Sequence, residues 1–305
     1  MTAARRTVLA VPGSSDRFIA KSRGLDVDAV FLDLEDAVAP PAKADARERI
    51  VAALTSGTWR APTVTVRVND WSSPWTTQDA WQVVAGAGGR IDALVLPKAQ
   101  DADQVRALDL VLTQAEQAAG LPTGRIGIEV QIEDAAGILH AADIARSSAR
   151  LQTLVFGPGD FMASMGMATT TVGAQPPGYL GDAFHHALMT ILVAARAHGL
   201  QAIDGPFVAI RDLEGFRESA RRAAALGYDG KWVLHPDQVA AGNEIFTPDR
   251  AEVERSQRIV TAYDHATSMA GGAVGAIVVD DEMVDVAGLR VAQALLAKGR
   301  AAGIC

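Results

Sequence analysis

Eight short runs of β-branched and apolar residues recur along the chain, and Ala-, Leu- and Arg-rich segments with helical spacing separate most of them. The runs are Thr7–Val11, Ala29–Leu34, Thr63–Val68, Ala93–Leu96, Ile126–Ile132, Leu154–Phe156, Gln201–Ile203 and Trp232–Leu234. Several of them are apolar almost throughout, as expected of parallel strands that are covered on both faces. Because about 240 residues hold these β-then-α units, the pattern predicts a TIM (β/α)8 barrel in the α/β class. A doubly wound sheet is the alternative, although it usually has fewer strands.

The segment over residues 242–305 contains no strand that such a barrel could use. We therefore expect a barrel domain over residues 1–241 and a C-terminal lid or oligomerisation segment over residues 242–305. A final helix is predicted from about Asp285 to Arg300, and its leucines share one face with an alanine. That apolar face must cover either the chain's own barrel or a neighbouring subunit.

The charge balance and the cysteine content exclude several classes of protein. The 305 residues include 28 Lys and Arg against 36 Asp and Glu, for a net charge of −8, and only 5% are aromatic. Nucleic-acid-binding surfaces are basic and stack bases on aromatic rings, so we expect no nucleic-acid partner. The single cysteine, Cys305, permits no intrachain disulfide and suits a reducing compartment. With no signal peptide and no run approaching the ~20 apolar residues of a membrane span, we expect a cytoplasmic protein without a membrane partner.

Charged residues gather at or just after the predicted strand ends, where barrel enzymes place their active sites. They are Glu35, Asp36, Arg67, Glu133, Asp160 and Asp204. Carboxylates crowded at one mouth repel one another unless a cation or water separates them. We therefore expect Mg²⁺, with Glu133 and Asp160 as its ligands, because Mg²⁺ takes one or two carboxylates together with water and substrate oxygens. The alternative for each carboxylate alone is that it caps the helix that follows.

Arg67 lies inside an otherwise apolar strand, where an unpaired guanidinium is costly to bury. It should therefore face the barrel mouth or a carboxylate. One interpretation is a cation that polarises a carbonyl or stabilises an enolate; the other is a structural ion pair with Glu35 or Asp36. Glu35 and Asp36 are accordingly candidate catalytic carboxylates beside it.

Three further places are candidate substrate-binding sites. The Gly-Pro-Gly-Asp turn that contains Gly159 can bring backbone N–H groups close to a small carboxylate, or it is an ordinary tight turn. Arg17 and Lys21 are spaced four apart on the first helix and suit a phosphate, or they lie on a solvated face. His235 and Pro236 follow the last strand, where a histidine is commonly structural.

Seven stretches together resemble one family. They are VPGSSDRF (11–18), FLDLEDAVAPPAKADAR (31–47), VTVRVND (64–70), EVQIEDAAGI (129–138), FGPGD (156–160), AIDGPF (202–207) and GYDGKWVLHPDQV (227–239). The chain resembles the HpcH/HpaI aldolase/citrate lyase superfamily, and within it the acyl-CoA lyases that include the citrate lyase beta subunit, malyl-CoA lyase and citramalyl-CoA lyase. The C-terminal stretch 282–297 also looks like the lid segment of the longer lyases.

The resemblance implies a barrel that holds Mg²⁺ at Glu133 and Asp160. It implies that Arg67 contacts the substrate carbonyl and stabilises a thioester enolate. It further implies that the family's lid aspartate corresponds to Asp285, supplied across subunits of a homo-oligomer, commonly a homotrimer or a hexamer. In the family, CoA runs along the rim from the first loop, so the resemblance implies that Lys21 contacts CoA. Some relatives carry an arginine where this chain has Ser15, and Arg17 is the residue that could take its place.

We therefore expect a Mg²⁺-dependent lyase that cleaves or forms a 3-hydroxyacyl-CoA, such as malyl-CoA, methylmalyl-CoA or citramalyl-CoA, with a 2-oxo acid and an acyl-CoA as the other partners. A related thioesterase would hydrolyse malyl-CoA with the same metal. A citrate lyase beta subunit would act on an acyl-carrier-protein thioester. A non-catalytic barrel is the alternative that the acidic rim favours least.

Overall fold

Eight parallel strands, hydrogen-bonded to one another in chain order, close into a barrel in the computed structural model of the chain. They are β1 (Thr7–Pro12), β2 (Ala29–Asp33), β3 (Thr63–Arg67), β4 (Ala93–Leu96), β5 (Gly127–Ile132), β6 (Leu151–Phe156), β7 (Gln201–Asp204) and β8 (Gly230–Val233). β1 pairs with both β2 and β8, so neither end of the sheet is an open edge. The predicted TIM-type α/β barrel is confirmed, and a doubly wound sheet is excluded.

The structure describes residues 3–269 and 275–304, which form two compact units. The barrel unit spans Arg5–Glu244; the second unit joins the residues up to Ala4 to the chain from Ile245 onwards. The single cysteine, Cys305, lies outside the described residues. Within the described ranges, no helix combines the length and the apolar character that crossing a membrane requires.

Helices connect the strands, and side-chain caps start several of them. They are α1 (Asp16–Ser22), α2 (Lys43–Thr55), α3 (Thr76–Ala87), α4 (Ala102–Ala118), α5 (Ala135–Leu139), α6 (Ala141–Ala145), α7 (Pro158–Ser164), α8 (His185–Ala197), α9 (Leu213–Leu226) and α10 (Pro236–Phe246). Asp101, Asp134 and Asp212 accept backbone N–H groups from the first turns of α4, α5 and α9. Each cap turns the chain sharply from the barrel rim into the outer helix.

The barrel interior carries charged side chains at the mouth, an apolar layer below them, and a buried ion pair of Arg5 with Glu129 at 2.6 Å. Phe31 and Trp232 stack with their ring centroids 4.2 Å apart in a buried cluster that also contains Val95 and Val155. Because side chains alternate between the two faces of a strand, Asp33 lies on the same inner face of β2 as Phe31. The guanidinium of Arg67 lies over both rings, with Cζ 5.5 Å from each centroid. The charged layer therefore rests directly on the aromatic one.

Asp204 does not join this layer, so its predicted place in the carboxylate cluster is wrong. Ile203 belongs to the inner apolar cluster, and alternation sends the next residue to the opposite face of β7. There Asp204 accepts a hydrogen bond of 2.5 Å from the Nζ of buried Lys231. The pair joins β7 to β8 behind the mouth.

The second unit has its own small core. It contains α11 (Arg250–Met269), an antiparallel hairpin of β9 (Ala276–Val279) and β10 (Glu282–Asp285), and α12 (Val286–Ala301). Ile259, Tyr263, Val284 and Ala292 pack together as buried residues. Asp285 ends the hairpin and caps α12, because its Oδ1 accepts from the N–H groups of Ala287 and Gly288 at 2.9 Å. The final helix therefore begins one residue after the expected position.

Gly230→Ala should disrupt barrel closure. A Cβ at Gly230 would lie 1.7 Å from the carbonyl oxygen of Arg5, and neither backbone can move without breaking the pairing of β1 with β8. We expect the free energy of unfolding to fall by about 3 kcal/mol or more in urea titrations followed by circular dichroism. Gly24→Ala is the control, because a Cβ there meets nothing within 4 Å and should change stability by less than about 0.5 kcal/mol. Equal stability of the two variants would contradict the account of closure.

Candidate active site

A bidentate ion pair between Arg67 and Asp33 lies at the centre of the barrel mouth. Arg67 Nε and Nη2 each donate to one Asp33 oxygen at 2.7 Å, and both side chains are buried. Burial alone would raise the pKa of Asp33, but the charge and hydrogen bonds of Arg67 lower it below the ordinary value. Burial likewise opposes the charge on Arg67, yet Asp33 and other carboxylates raise its pKa. Arg67 is therefore a permanently charged, rigidly oriented donor.

Glu35 lies between two cations. Its Oε2 is 3.0 Å from Arg67 Nη1, and its other oxygen contacts the ammonium of Lys98, which follows β4. Asp36 is exposed and lies 3.2 Å from the same ammonium. Burial raises the pKa of Glu35, and the neighbouring positive charges only partly offset that rise. Glu35 thus helps to position Arg67, whereas Asp36 faces solvent at the rim.

Glu133 follows β5 and is buried at the back of the mouth. Its Oε1 accepts a 2.8 Å hydrogen bond from the backbone N–H of Lys98. Gly157 makes room for it, because a Cβ there would lie 2.3 Å from Glu133 Oε2. Burial is the main reason that the pKa of Glu133 lies well above its usual value; the charge of Arg67 opposes this shift, and the carboxylates of Asp160 and Glu35 add to it.

Asp160 lies on the first turn of α7, and its carboxylate is 3.7 Å from the ammonium of Lys98. Together with Glu133 and Lys98 it lines an open cavity of about 370 Å³, and Trp71 and Gln104 form part of the wall. The indole N–H of Trp71 donates to the Gln104 carbonyl at 2.9 Å, which fixes the ring. The cavity joins the carboxylates to a space large enough for a small organic acid.

Glu133 and Asp160 fit a hard divalent cation. Both offer carboxylate oxygens, and the raised pKa of Glu133 indicates that the buried charge lacks full compensation from Arg67. Among the residues that the structure describes, no group of three His, Cys, Asp or Glu side chains is arranged as a complete cage. A two-carboxylate site suits Mg²⁺, which retains several waters and binds substrate oxygens as well.

A buried lysine holds the loop that carries Glu35. Lys43 Nζ donates to the carbonyls of Leu34 and Glu35 at 2.7 and 2.9 Å and to Asn69 Oδ1 at 2.6 Å. Asn69 in turn donates to Asp79 of α3 at 2.6 Å. Burial lowers the pKa of Lys43 despite the carboxylates around it. The network ties the ends of β2 and β3 to the outer helices.

The ion pairs described above do not include the remaining predicted site residues. Arg17 and Lys21 are exposed on α1, and Gly159 is half-buried at the start of α7. His235 is half-exposed, with Nδ1 3.2 Å from the backbone N–H of Asp237, and Pro236 begins α10. Their contacts with a substrate remain predictions. Asp285 is exposed in the second unit, which is described separately.

Sequence reasoning missed three members of the site, namely Asp33, Lys43 and Lys98. Asp33 could have been found, because it is two residues after Phe31 and so shares the inner face of β2. Lys98 adopts φ 51°, a left-handed conformation that is uncommon for lysine and that its residue type does not signal. Lys43 lies in a helix and reaches its partners only through the folded barrel.

Comparison with known proteins gives one consistent family. The HpcH/HpaI aldolase/citrate lyase family model matches residues 6–236. L-malyl-CoA/beta-methylmalyl-CoA lyase of Cereibacter sphaeroides is 40% identical over 294 residues, covering 93% of this chain and 91% of the relative. A (3S)-malyl-CoA thioesterase of the same species is 34% identical over 296 residues, covering 97% and 95%.

A solved structure shares the whole architecture. The CitE protein of Mycobacterium tuberculosis, in complex with magnesium, acetoacetate and coenzyme A, matches with a TM-score of 0.74 and 27% identity. The match covers 98% of this chain and 99% of that one. A magnesium ion and a coenzyme A thus accompany this fold in a relative.

Gly157→Ala should displace Glu133 without unfolding the barrel. The added methyl would overlap Glu133 Oε2 at 2.3 Å and Cβ at 2.4 Å, so the carboxylate must leave its place. We expect the affinity for Mg²⁺, measured by calorimetry, to fall about tenfold or more. Gly159→Ala is the matched control, because its Cβ meets Val172 only at ordinary contact distance, 3.6 Å. An equal loss of Mg²⁺ affinity in both variants would refute this role of Gly157.

Proposed function

The chain belongs to the HpcH/HpaI aldolase/citrate lyase family, and we propose that it is a Mg²⁺-dependent carbon–carbon lyase that cleaves or forms a 3-hydroxyacyl-CoA of the malyl-CoA type. Its products in the cleavage direction are a 2-oxo acid and an acyl-CoA. The observation that carries the proposal is the Arg67 guanidinium, fixed by Asp33 beside the Glu133 and Asp160 carboxylates at the mouth of the barrel.

Arg67 is suited to bind a thioester oxygen that becomes negative. A guanidinium carries five N–H groups. Among the described residues, Asp33 accepts two of them at 2.7 Å and Gln131 accepts one at 3.3 Å, and Nη1 also forms a 3.0 Å ion pair with Glu35. The second N–H of Nη2 is left for a substrate oxygen. A preoriented cation in a water-poor site stabilises developing negative charge without reorganisation.

We describe the proposed reaction in the direction of carbon–carbon bond cleavage. A base takes the proton of the 3-hydroxyl, the C2–C3 bond breaks, and its electron pair moves into the thioester to form an enolate. Arg67 holds the enolate oxygen, and an acid returns a proton to C2, which yields the acyl-CoA. The hydroxyl carbon leaves as the carbonyl of the 2-oxo acid, so that atoms and electrons balance.

Mg²⁺, held by Glu133 and Asp160 when bound, would polarise the oxo-acid carbonyl as a Lewis acid. Glu35 and Asp36 keep Lys98 and Arg67 in place, and the cavity wall of Trp71 limits the room beside the carboxylates. In this proposal the residues around the cavity orient the small acid, and the enolate oxygen binds the guanidinium of Arg67.

The acid that protonates C2 is assigned to Asp285 of a neighbouring copy in a homo-oligomer, a trimer or a hexamer. The chain from residue 242 is the lid in this proposal. Asp285 is exposed and ends a hairpin, where a carboxylate can enter another subunit's mouth. Lys21 and Arg17, exposed on α1, would contact the phosphates of CoA along the rim.

The thioesterase activity of one relative makes hydrolysis of malyl-CoA to malate and free CoA the second candidate. Incubation with Mg²⁺ and malyl-, methylmalyl- or citramalyl-CoA separates the two by product. A lyase releases equal amounts of 2-oxo acid and acyl-CoA, detected by mass spectrometry, without free thiol. Free thiol with no 2-oxo acid would instead establish the thioesterase, and absence of both products with all three thioesters would refute both functions.

Glu133→Gln and Asp160→Asn should lower Mg²⁺-dependent turnover by about a thousandfold, because each removes a charged metal ligand. Asp212→Asn is the matched control: Asp212 caps α9 and does not line the cavity, and asparagine caps a helix equally well. The control should keep its dependence on Mg²⁺. Full activity of the unaltered chain in EDTA would rule out the metal.

Asp285→Asn separates the catalytic role of Asp285 from its capping role. Asparagine still accepts the N–H groups of Ala287 and Gly288, so stability should stay within about 0.5 kcal/mol, whereas Asp285→Ala should lose about 1 kcal/mol. We expect both variants to lose turnover about a hundredfold or more.

Coexpression of Asp285→Asn with Arg67→Lys chains should restore activity above that of either variant alone, because mixed oligomers regain intact sites. Full turnover of Asp285→Asn would refute the acid role, and failed restoration would refute its supply across subunits.

A further inference from the structure

Lys98 contacts four carboxylates of the site, Glu35, Asp36, Glu133 and Asp160, through two different groups. Its backbone N–H donates to Glu133 Oε1 at 2.8 Å. Its ammonium contacts Glu35 and lies 3.2 Å from Asp36 and 3.7 Å from Asp160. One residue therefore holds one proposed metal ligand by its main chain and neutralises the other by its side chain.

The two groups reach different partners because the backbone turns at this residue. Lys98 adopts φ 51°, and the turn aims its N–H at the end of β5 while the side chain extends over the cavity. Such a conformation is uncommon for lysine and is maintained only where surrounding contacts hold it. Substitution of the side chain leaves the N–H bond to Glu133 in place, so the two contributions can be separated experimentally.

The ammonium compensates charges that Arg67 does not reach. The contacts of Arg67 within the described residues are with Asp33, Glu35 and Gln131 and include neither Asp36 nor Asp160. A lysine ammonium is charged at neutral pH, and the carboxylates of Glu35, Asp36 and Asp160 around it favour this charged form. A second cation is thus already present beside Asp160, one of the two carboxylates proposed to bind Mg²⁺.

We propose that Lys98 is a tethered competitor of Mg²⁺, a built-in counter-ion that stabilises the metal-free site and weakens its affinity for the metal. The inference rests on the proposed function, because it takes Glu133 and Asp160 as the ligands. Mg²⁺ and the ammonium share Asp160, so they repel each other when both are present. The 3.7 Å contact to Asp160 is the longest of the ammonium's contacts and is the one that the metal displaces. The contacts to Glu35 and Asp36 remain and keep the ammonium close enough to oppose the metal.

Lys98→Met tests the proposal, because it removes the charge and keeps a flexible side chain of similar length. Calorimetric titration of the full-length chain with MgCl₂ at constant ionic strength should give an affinity about tenfold higher than that of the unaltered protein, since a unit charge a few ångströms away is removed. Lys98→Arg should restore the lower affinity. Arg221→Met, which removes an equal charge from an exposed pair with Glu214 on α9, should leave the affinity unchanged.

Thermal unfolding supplies the second measurement. Without Mg²⁺ the Lys98→Met protein should melt below the unaltered protein, because its carboxylates have lost their cation. At saturating Mg²⁺ the two should melt within a few degrees of each other, so the metal-dependent rise in Tm is larger in the variant.

The outcomes separate this inference from the function on which it rests. Tighter Mg²⁺ binding by Lys98→Met with recovery in Lys98→Arg supports the competitor. Weaker or equal binding by Lys98→Met overturns it and leaves the metal site intact, because Lys98 would then only orient its ligands. Failure of both the unaltered protein and Lys98→Met to bind Mg²⁺ overturns the metal site itself, and the competitor with it.

Discussion

The buried pair of Arg67 and Asp33 is the interaction on which the rest of the site depends. An unpaired guanidinium above the aromatic rings of Phe31 and Trp232 would be costly, and Asp33 neutralises it with two parallel hydrogen bonds. The same carboxylate also accepts the N–H groups of Glu35 and Ala37, so it shapes the loop after β2 as well. One side chain therefore sets the orientation of the cation and of the acidic loop beside it.

The barrel could be predicted because its strands are buried on both faces and read as apolar runs. The largest differences between the predicted and the observed strand limits occur where a polar residue belongs to a strand. β6 begins at Leu151, before the exposed Gln152 that interrupts its apolar run, and β8 begins at Gly230 and includes the buried Lys231. A charged residue inside a strand is invisible to hydrophobic patterning when its partner, here Asp204, comes from a neighbouring strand. Pairing between strands is a tertiary property, and composition along one run does not reveal it.

The site was predictable to the extent that its charges interrupt apolar runs or end them. Arg67, Glu35 and Glu133 stand out for this reason, and the structure places them together in one mouth. The strand end alone was an insufficient criterion, because Asp204 also ends a strand and faces the other way. Alternation along the strand supplies the missing criterion: it selects Asp33 and rejects Asp204. The contacts of Lys98 were not predicted, because they depend on its backbone conformation rather than on its spacing in the sequence.

The distribution of charge suits the anionic thioester of the proposed function, although the chain as a whole is acidic. The site contains five carboxylates, Asp33, Glu35, Asp36, Glu133 and Asp160, and three cations, Arg67, Lys43 and Lys98, so the formal local charge is 3 − 5 = −2. Such a mouth attracts a divalent cation and repels phosphates. In the proposed function, the polyanionic part of CoA would lie outside the mouth, beside exposed cations such as those of α1, while only the reacting end of the acyl chain would approach Arg67. The separation of the two charge environments thereby orients the thioester before any contact specific to its acyl group is made.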